Sequence, residues 1–174
     1  MRVRPLVGAS LLTSLALAVG CLQPPDYPEA PVLTFVGYSR DSLAQGAILR
    51  DSTSVFFEFT DGDGDIVVGE SDSLPDLRLI NLETGEVLAS TLLDPIDRAG
   101  VEKGVSGDLR ILLFGTCCDY PVSSNLNDCQ LTDRPEFIVD TLLVEATMRD
   151  RAGNVSEPVR LAPLYLLCDS TLSN

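Results

Sequence analysis

Histidine and tryptophan are both missing from this 174-residue chain, and its 12 basic residues face 26 acidic ones. Without histidine there are no Ser-His or Cys-His nucleophile pairs, no histidine general bases and few routes to a catalytic zinc site. Without tryptophan a glycosidase reading weakens, because paired carboxylates need a cleft lined for sugar. Tyr27, Tyr38, Tyr120 and Tyr165 do not compensate, being spread along the chain. The serine of "GVSGD" (104 to 108) lacks both G-x-S-x-G spacing and a base, and reads as a turn serine. A net charge of −14 opposes direct binding to nucleic acid, whose affinity rests on basic residues neutralising phosphates. The chain therefore reads as non-enzymatic.

Long amphipathic helices are also absent, and what stands in their place is period-two alternation in short runs divided by turn residues. With 45% apolar residues there is enough for one domain with a core. The runs are "PVLTFVGYS" (31 to 39), "STSVFFEFT" (52 to 60), "DLRLINL" (76 to 82), "ETGEVLASTLL" (83 to 93), "GDLRILLFG" (107 to 115), "DTLLVEATMRD" (140 to 150) and "EPVRLAPLYLLC" (157 to 168). In the second, Val55, Phe57 and Phe59 share a face; in the sixth, Leu142, Val144, Ala146 and Met148 do. Gly85 marks a tight hairpin, and Gly153 in "DRAGN" marks another. Pro158 and Pro163 put the seventh run at a sheet edge. The expected fold is all-β, an immunoglobulin-like antiparallel sandwich of about seven strands, with a closed barrel as the alternative.

The first residues, "MRVRPLVGASLLTSLALAVGC", place Arg2 and Arg4 before an apolar run from Leu6 to Val19, the layout of a secretory signal peptide. "LAVGC" resembles the lipobox of bacterial lipoproteins, with Ala18 where leucine is commonest. The resemblance implies cleavage after Gly20 and acylation of Cys21, hence an outer-membrane lipid anchor on the cell surface or periplasmic face. Removing residues 1–20 takes two arginines and no acid, so 10 basic residues would face 26 acidic ones, a charge of −16. "LQPPDYPEAP" then reads as a proline-rich tether. The expected division is residues 1–20 signal peptide, 21–31 lipidated cysteine and tether, and 32–174 sandwich.

Four cysteines remain, Cys117, Cys118, Cys129 and Cys168, an even number that suggests disulfides in an exported chain. A four-thiolate metal site is disfavoured by the lack of paired CxxC-like motifs. Adjacent Cys117 and Cys118 would need a strained ring to pair, which leaves two patterns joining one of them to Cys129 and the other to Cys168. In an up-and-down sandwich the loop at 116–136 and the end of the last strand share one pole, so the cysteines meet.

At the opposite pole the same alternation of strand direction brings together "FTDGDGDI" (59 to 66) and "DRAGN" (150 to 154). Asp61, Asp63 and Asp65 occupy EF-hand positions one, three and five, but Ile66 stands where the sixth-position glycine is required, and Asp72 is short for the twelfth. The loop is thus either a turn whose aspartates cap backbone amides, or a structural calcium site with Asp150 and Asn154 contributed by the second loop. Three carboxylates within five residues repel unless neutralised, and Arg151 is the one basic residue in the two loops. Calcium, with six to eight oxygen ligands, suits them. "NVS" (154 to 156) matches a glycosylation acceptor that a bacterium would not normally read.

Taken with the lipobox and the late cysteines, "F-x-D-G-D-G-D-I" after the second run and "D-R-A-G-N-V-S" between the last two resemble the Ig-like domains of Bacteroidota surface lipoproteins. The resemblance implies a location and a fold more than an activity. The functional expectation is a non-catalytic envelope module that binds a protein or glycan partner, or alternatively a structural spacer or accessory subunit of a larger lipoprotein complex.

Overall fold

The computed structural model describes residues 26–46, 51–67, 74, 76–93 and 104–169. The signal peptide and Cys21 lie outside the described residues, as does Asp72. Alternation in the sequence becomes strands β1 (Val32–Tyr38), β2 (Ser42–Ala44), β3 (Ser52–Asp61), β4 (Leu77–Asn81), β5 (Val87–Thr91), β6 (Val105–Phe114), β7 (Val139–Leu142), β8 (Val144–Met148), β9 (Val159–Arg160) and β10 (Leu164–Leu167). One sheet runs β1-β3-β6, a second β5-β4-β8-β9 and a third β2-β10-β7. Val55, Phe57 and Phe59 of β3 and Leu79, Ala146 and Met148 of β4 and β8 face inward into one shared core. This is an all-β, sandwich-like fold of short strands in three sheets around that core.

The ten strands contain all seven of the expected runs. The sixth run divides at Leu143 into β7 and β8, and the seventh divides at 161–163 into β9 and β10. Each half joins a different sheet. Pairing passes from Ala146–Val159 and Glu145–Arg160 to Leu142–Leu164 with a slip of one residue, so the break is a bulge in one long hairpin. Pro163 sits in that bulge, where no ladder hydrogen bond is demanded of it. The edge assignment holds for β9, which closes its sheet, and is corrected for β10, which lies between β2 and β7. β2 was not among the expected runs; it pairs with β10 in parallel, through Leu43 opposite Leu166. Three residues are too few for alternation to register.

The cysteines form Cys117–Cys129 and Cys118–Cys168, one of the two patterns left open by the sequence. Cys118–Cys168 staples the insertion between β6 and β7 to the end of β10, and Cys117–Cys129 closes a loop within the insertion. Behind them buried Gln45 accepts from the Cys118 amide and donates to the Gln130 carbonyl, which also receives the Tyr120 hydroxyl. A polar side chain at the floor of an apolar core is tolerated here because its amide is hydrogen-bonded at both ends. The two poles are thus built differently: one is covalent, and the other is held by carboxylates.

Candidate metal centre

Strand parity explains how two aspartates come to be buried. Thr53, Val55, Phe57 and Phe59 alternate inward along β3, and the next inward position is Asp61; along β7 and β8 the inward positions Leu142, Val144, Ala146 and Met148 are followed by Asp150. Asp61 and Asp150 are both fully buried. Each sits one step past the apolar face of its strand, and the two strands belong to opposed sheets. Asp63 and Asp65 arrive from the turn after β3.

One carboxylate oxygen from each of Asp61, Asp63, Asp65 and Asp150 lies within 4.8 Å of every other. Calcium holds oxygens at about 2.3–2.6 Å, so two on opposite sides of one ion stand roughly 5 Å apart. The four oxygens fit within a single coordination sphere.

Existing hydrogen bonds organise this cluster without satisfying it. Asp61 Oδ2 accepts from the Ile66 amide at 3.1 Å, but its Oδ1 is buried with no hydrogen-bond partner among the described residues. Asp63 Oδ1 accepts from the Asp65 amide, and Asp65 Oδ1 from the Arg151 amide. Asp150 receives both the backbone amide and the side-chain amide of Asn154, each at 2.7 Å. Asn154 therefore aims Asp150 by donating to it through both its backbone and its side-chain N–H groups. Gly153, with φ +96°, lets the loop turn back for that contact.

Arg151 does not neutralise the cluster. Its guanidinium pairs with buried Asp76 at 2.5 Å and reaches the Leu93 carbonyl, closing a second site beside the first. The one cation of the two loops is thus committed elsewhere. Burial, together with repulsion from Asp63, Asp65 and Asp150, pushes the Asp61 carboxyl up to about 6 against the opposing pull of the Ile66 amide. Asp65 is raised as well, by burial and then by Asp150 and Asp63. Both shifts run in the direction that burial and like charge impose on a carboxylate.

Ile66, which breaks the EF-hand pattern, has its own structural task. It is fully buried at the start of a short 3-10 turn (Asp65–Val67) and pins the loop into the core while its amide fixes Asp61. The Arg151–Asp76 pair was not legible in the sequence, since Asp76 reads as the polar start of a strand. Parity, continued one step past each strand, could have marked Asp61 and Asp150 as inward.

At the other pole a groove of about 490 Å³ runs between the β4–β5 turn and the stapled insertion. Phe114, Leu142 and Leu166 line it together with Glu83, Glu86, Asp119, Asp128 and Asp140, and among the described residues of the lining none is basic. The Asp119 and Thr141 amides hold the Asp140 carboxylate in place. No family model, curated protein or solved structure matches the chain, so function is argued from this geometry.

Proposed function

We propose that this chain is a calcium-stabilised Ig-like module, lipid-anchored through Cys21 to the bacterial envelope, that acts by binding a protein partner and not by catalysis. The observation that carries the reading is the unpartnered, buried Asp61 Oδ1 inside a ring of three further carboxylates. A buried charge with no partner is costly, and a divalent cation bound by oxygen ligands offsets that cost. Asp61 ends strand β3 and the other three ligands come from the loops beyond β3 and β8, so the ion would fix those loops to the scaffold.

The partner face is the groove at the disulfide pole. Its acidic rim favours a basic protein segment, and its single aromatic, Phe114, gives a sugar little to stack on. The spacer alternative has no concavity to account for. Thermal melts of the purified chain in millimolar calcium and in excess chelator test the metal: the expected result is a rise of several degrees with calcium, abolished by Asp63→Asn together with Asp65→Asn. Equal melts in the two buffers would end the calcium reading. Affinity purification from the native membrane, with and without Glu83→Gln and Glu86→Gln, tests the partner face; recovery of the same partner by both forms would move the contact elsewhere.

A further inference from the structure

Between two of the proposed ligands sits Gly62, and against it lies the last part of the tether. The Gly62 amide donates to the Pro28 carbonyl at 2.7 Å. A Cβ on Gly62 would stand 2.3 Å from the Tyr27 carbonyl oxygen and 2.5 Å from that of Pro28, so only glycine admits this backbone-on-backbone approach. Gly104 closes the other side, where a Cβ would meet the Asp61 carbonyl oxygen at 2.9 Å and the Tyr27 ring at 3.1 Å. Tyr27 and Pro28 are clasped between the metal loop and residue 104, and Pro31 just beyond them is buried. The tether expected over 21–31 is therefore strapped to the domain from Tyr27 onward.

We infer that the strap at Tyr27–Pro28 and the calcium site are one coupled unit, in which metal binding docks the strap and the docked strap tightens metal binding. This rests on the calcium reading. The physical link is the peptide backbone from Asp61 to Asp63: drawing both carboxylates onto one ion fixes the Gly62 amide in the orientation that meets Pro28. Without an ion the four carboxylates repel, the loop relaxes outward, and the Gly62 amide loses its alignment. Linkage requires the effect to run equally in both directions. The consequence is mechanical: calcium sets the direction in which the chain leaves the domain towards Cys21. Five residues lie between Cys21 and Tyr27, six steps along the chain and a reach of about 20 Å. A loaded module would stand with its carboxylate pole towards the membrane and its groove away from it.

The absence of tryptophan supplies the reporter. In the full mature chain, Tyr27→Trp introduces a single tryptophan beside the loop, and calcium titration should blue-shift its emission as the strap docks. Calorimetry on the same protein gives metal affinity independently. Replacing Tyr27 and Pro28 by glycine leaves every carboxylate in place and should weaken calcium binding by at least about fivefold, the low end of measured site-to-site coupling. Gly62→Ala should also remove the tryptophan response while calcium still binds. As a second measure, calcium should slow Glu-C cleavage after Glu29 in the wild-type chain and not in the glycine variant. Absence of calcium binding in the wild-type chain would overturn the metal reading and the coupling with it. Calcium binding of equal affinity in wild type and glycine variant, with cleavage after Glu29 unchanged by the metal, would leave the metal site standing and overturn the coupling.

Discussion

Asp61 occupies an inward position where apolar side chains precede it, and its charge there has two opposite consequences. Without metal its carboxyl titrates at about 6, above the 3.8 of an exposed aspartate, because burial and three neighbouring carboxylates disfavour the anion. The native state then holds this proton more tightly than the unfolded chain does. Its contribution to stability is complete below pH 4 and is lost as pH rises through 6. Asp61→Asn, measured by denaturant unfolding in chelator, should lack that fall and be more stable than wild type at pH 7, by on the order of 1–3 kcal/mol for an unsatisfied buried group. In calcium the order should reverse, since asparagine is the poorer ligand. Ile66→Ala tests the neighbouring plug: removal of a fully buried isoleucine should cost about 2–5 kcal/mol and loosen the loop that carries Asp63 and Asp65.

Elements at the two poles are restrained by different means. Cys118–Cys168 spans a sequence separation of 50 and Cys117–Cys129 a separation of 12. The chain-entropy model assigns such loops about 4 and about 3 kcal/mol respectively. Replacing Cys118 and Cys168 by serine should therefore lower the melting temperature more than replacing Cys117 and Cys129, and non-reducing peptide mapping should recover those two pairs. The sequence showed that the cysteines would meet but not how they would divide, because adjacent residues on an irregular segment point in directions set by the local backbone. The division of the last two runs was hidden for a related reason. A one-residue bulge changes which sheet a strand half joins, yet leaves the alternation of Leu142, Val144, Ala146 and Met148 undisturbed.

On the scale of the whole molecule the sandwich separates a carboxylate-rich end, where Tyr27 and Pro28 pack, from a disulfide-held end that carries the groove. Charge bears on both. The acidic excess would favour long-range attraction of a basic partner, and such attraction is screened within about 10 Å at 0.1 M salt. Capture of the partner should accordingly weaken as ionic strength rises from 0.05 to about 0.5 M, with the melting temperature in calcium little changed. Mass spectrometry of the membrane-extracted chain tests the anchor: the expected product begins at an acylated Cys21, and an intact Met1 would remove the lipid from the proposal.

What the sequence determined by itself was local and periodic. Alternating apolar residues specify strands, glycines such as Gly153 specify turns, and antiparallel succession sorts the loops into two poles, enough to bring Asp61, Asp63 and Asp65 towards Asp150. Tertiary structure alone decided which groups neutralise one another there. Arg151, adjacent to Asp150 in sequence, turns to Asp76, and Tyr27 and Pro28, read as free tether, close on Gly62. Each of these contacts depends on the positions of side chains and backbone groups from segments up to 75 residues apart, as between Arg151 and Asp76. Periodicity along one strand carries no information about where another strand's polar groups will come to rest.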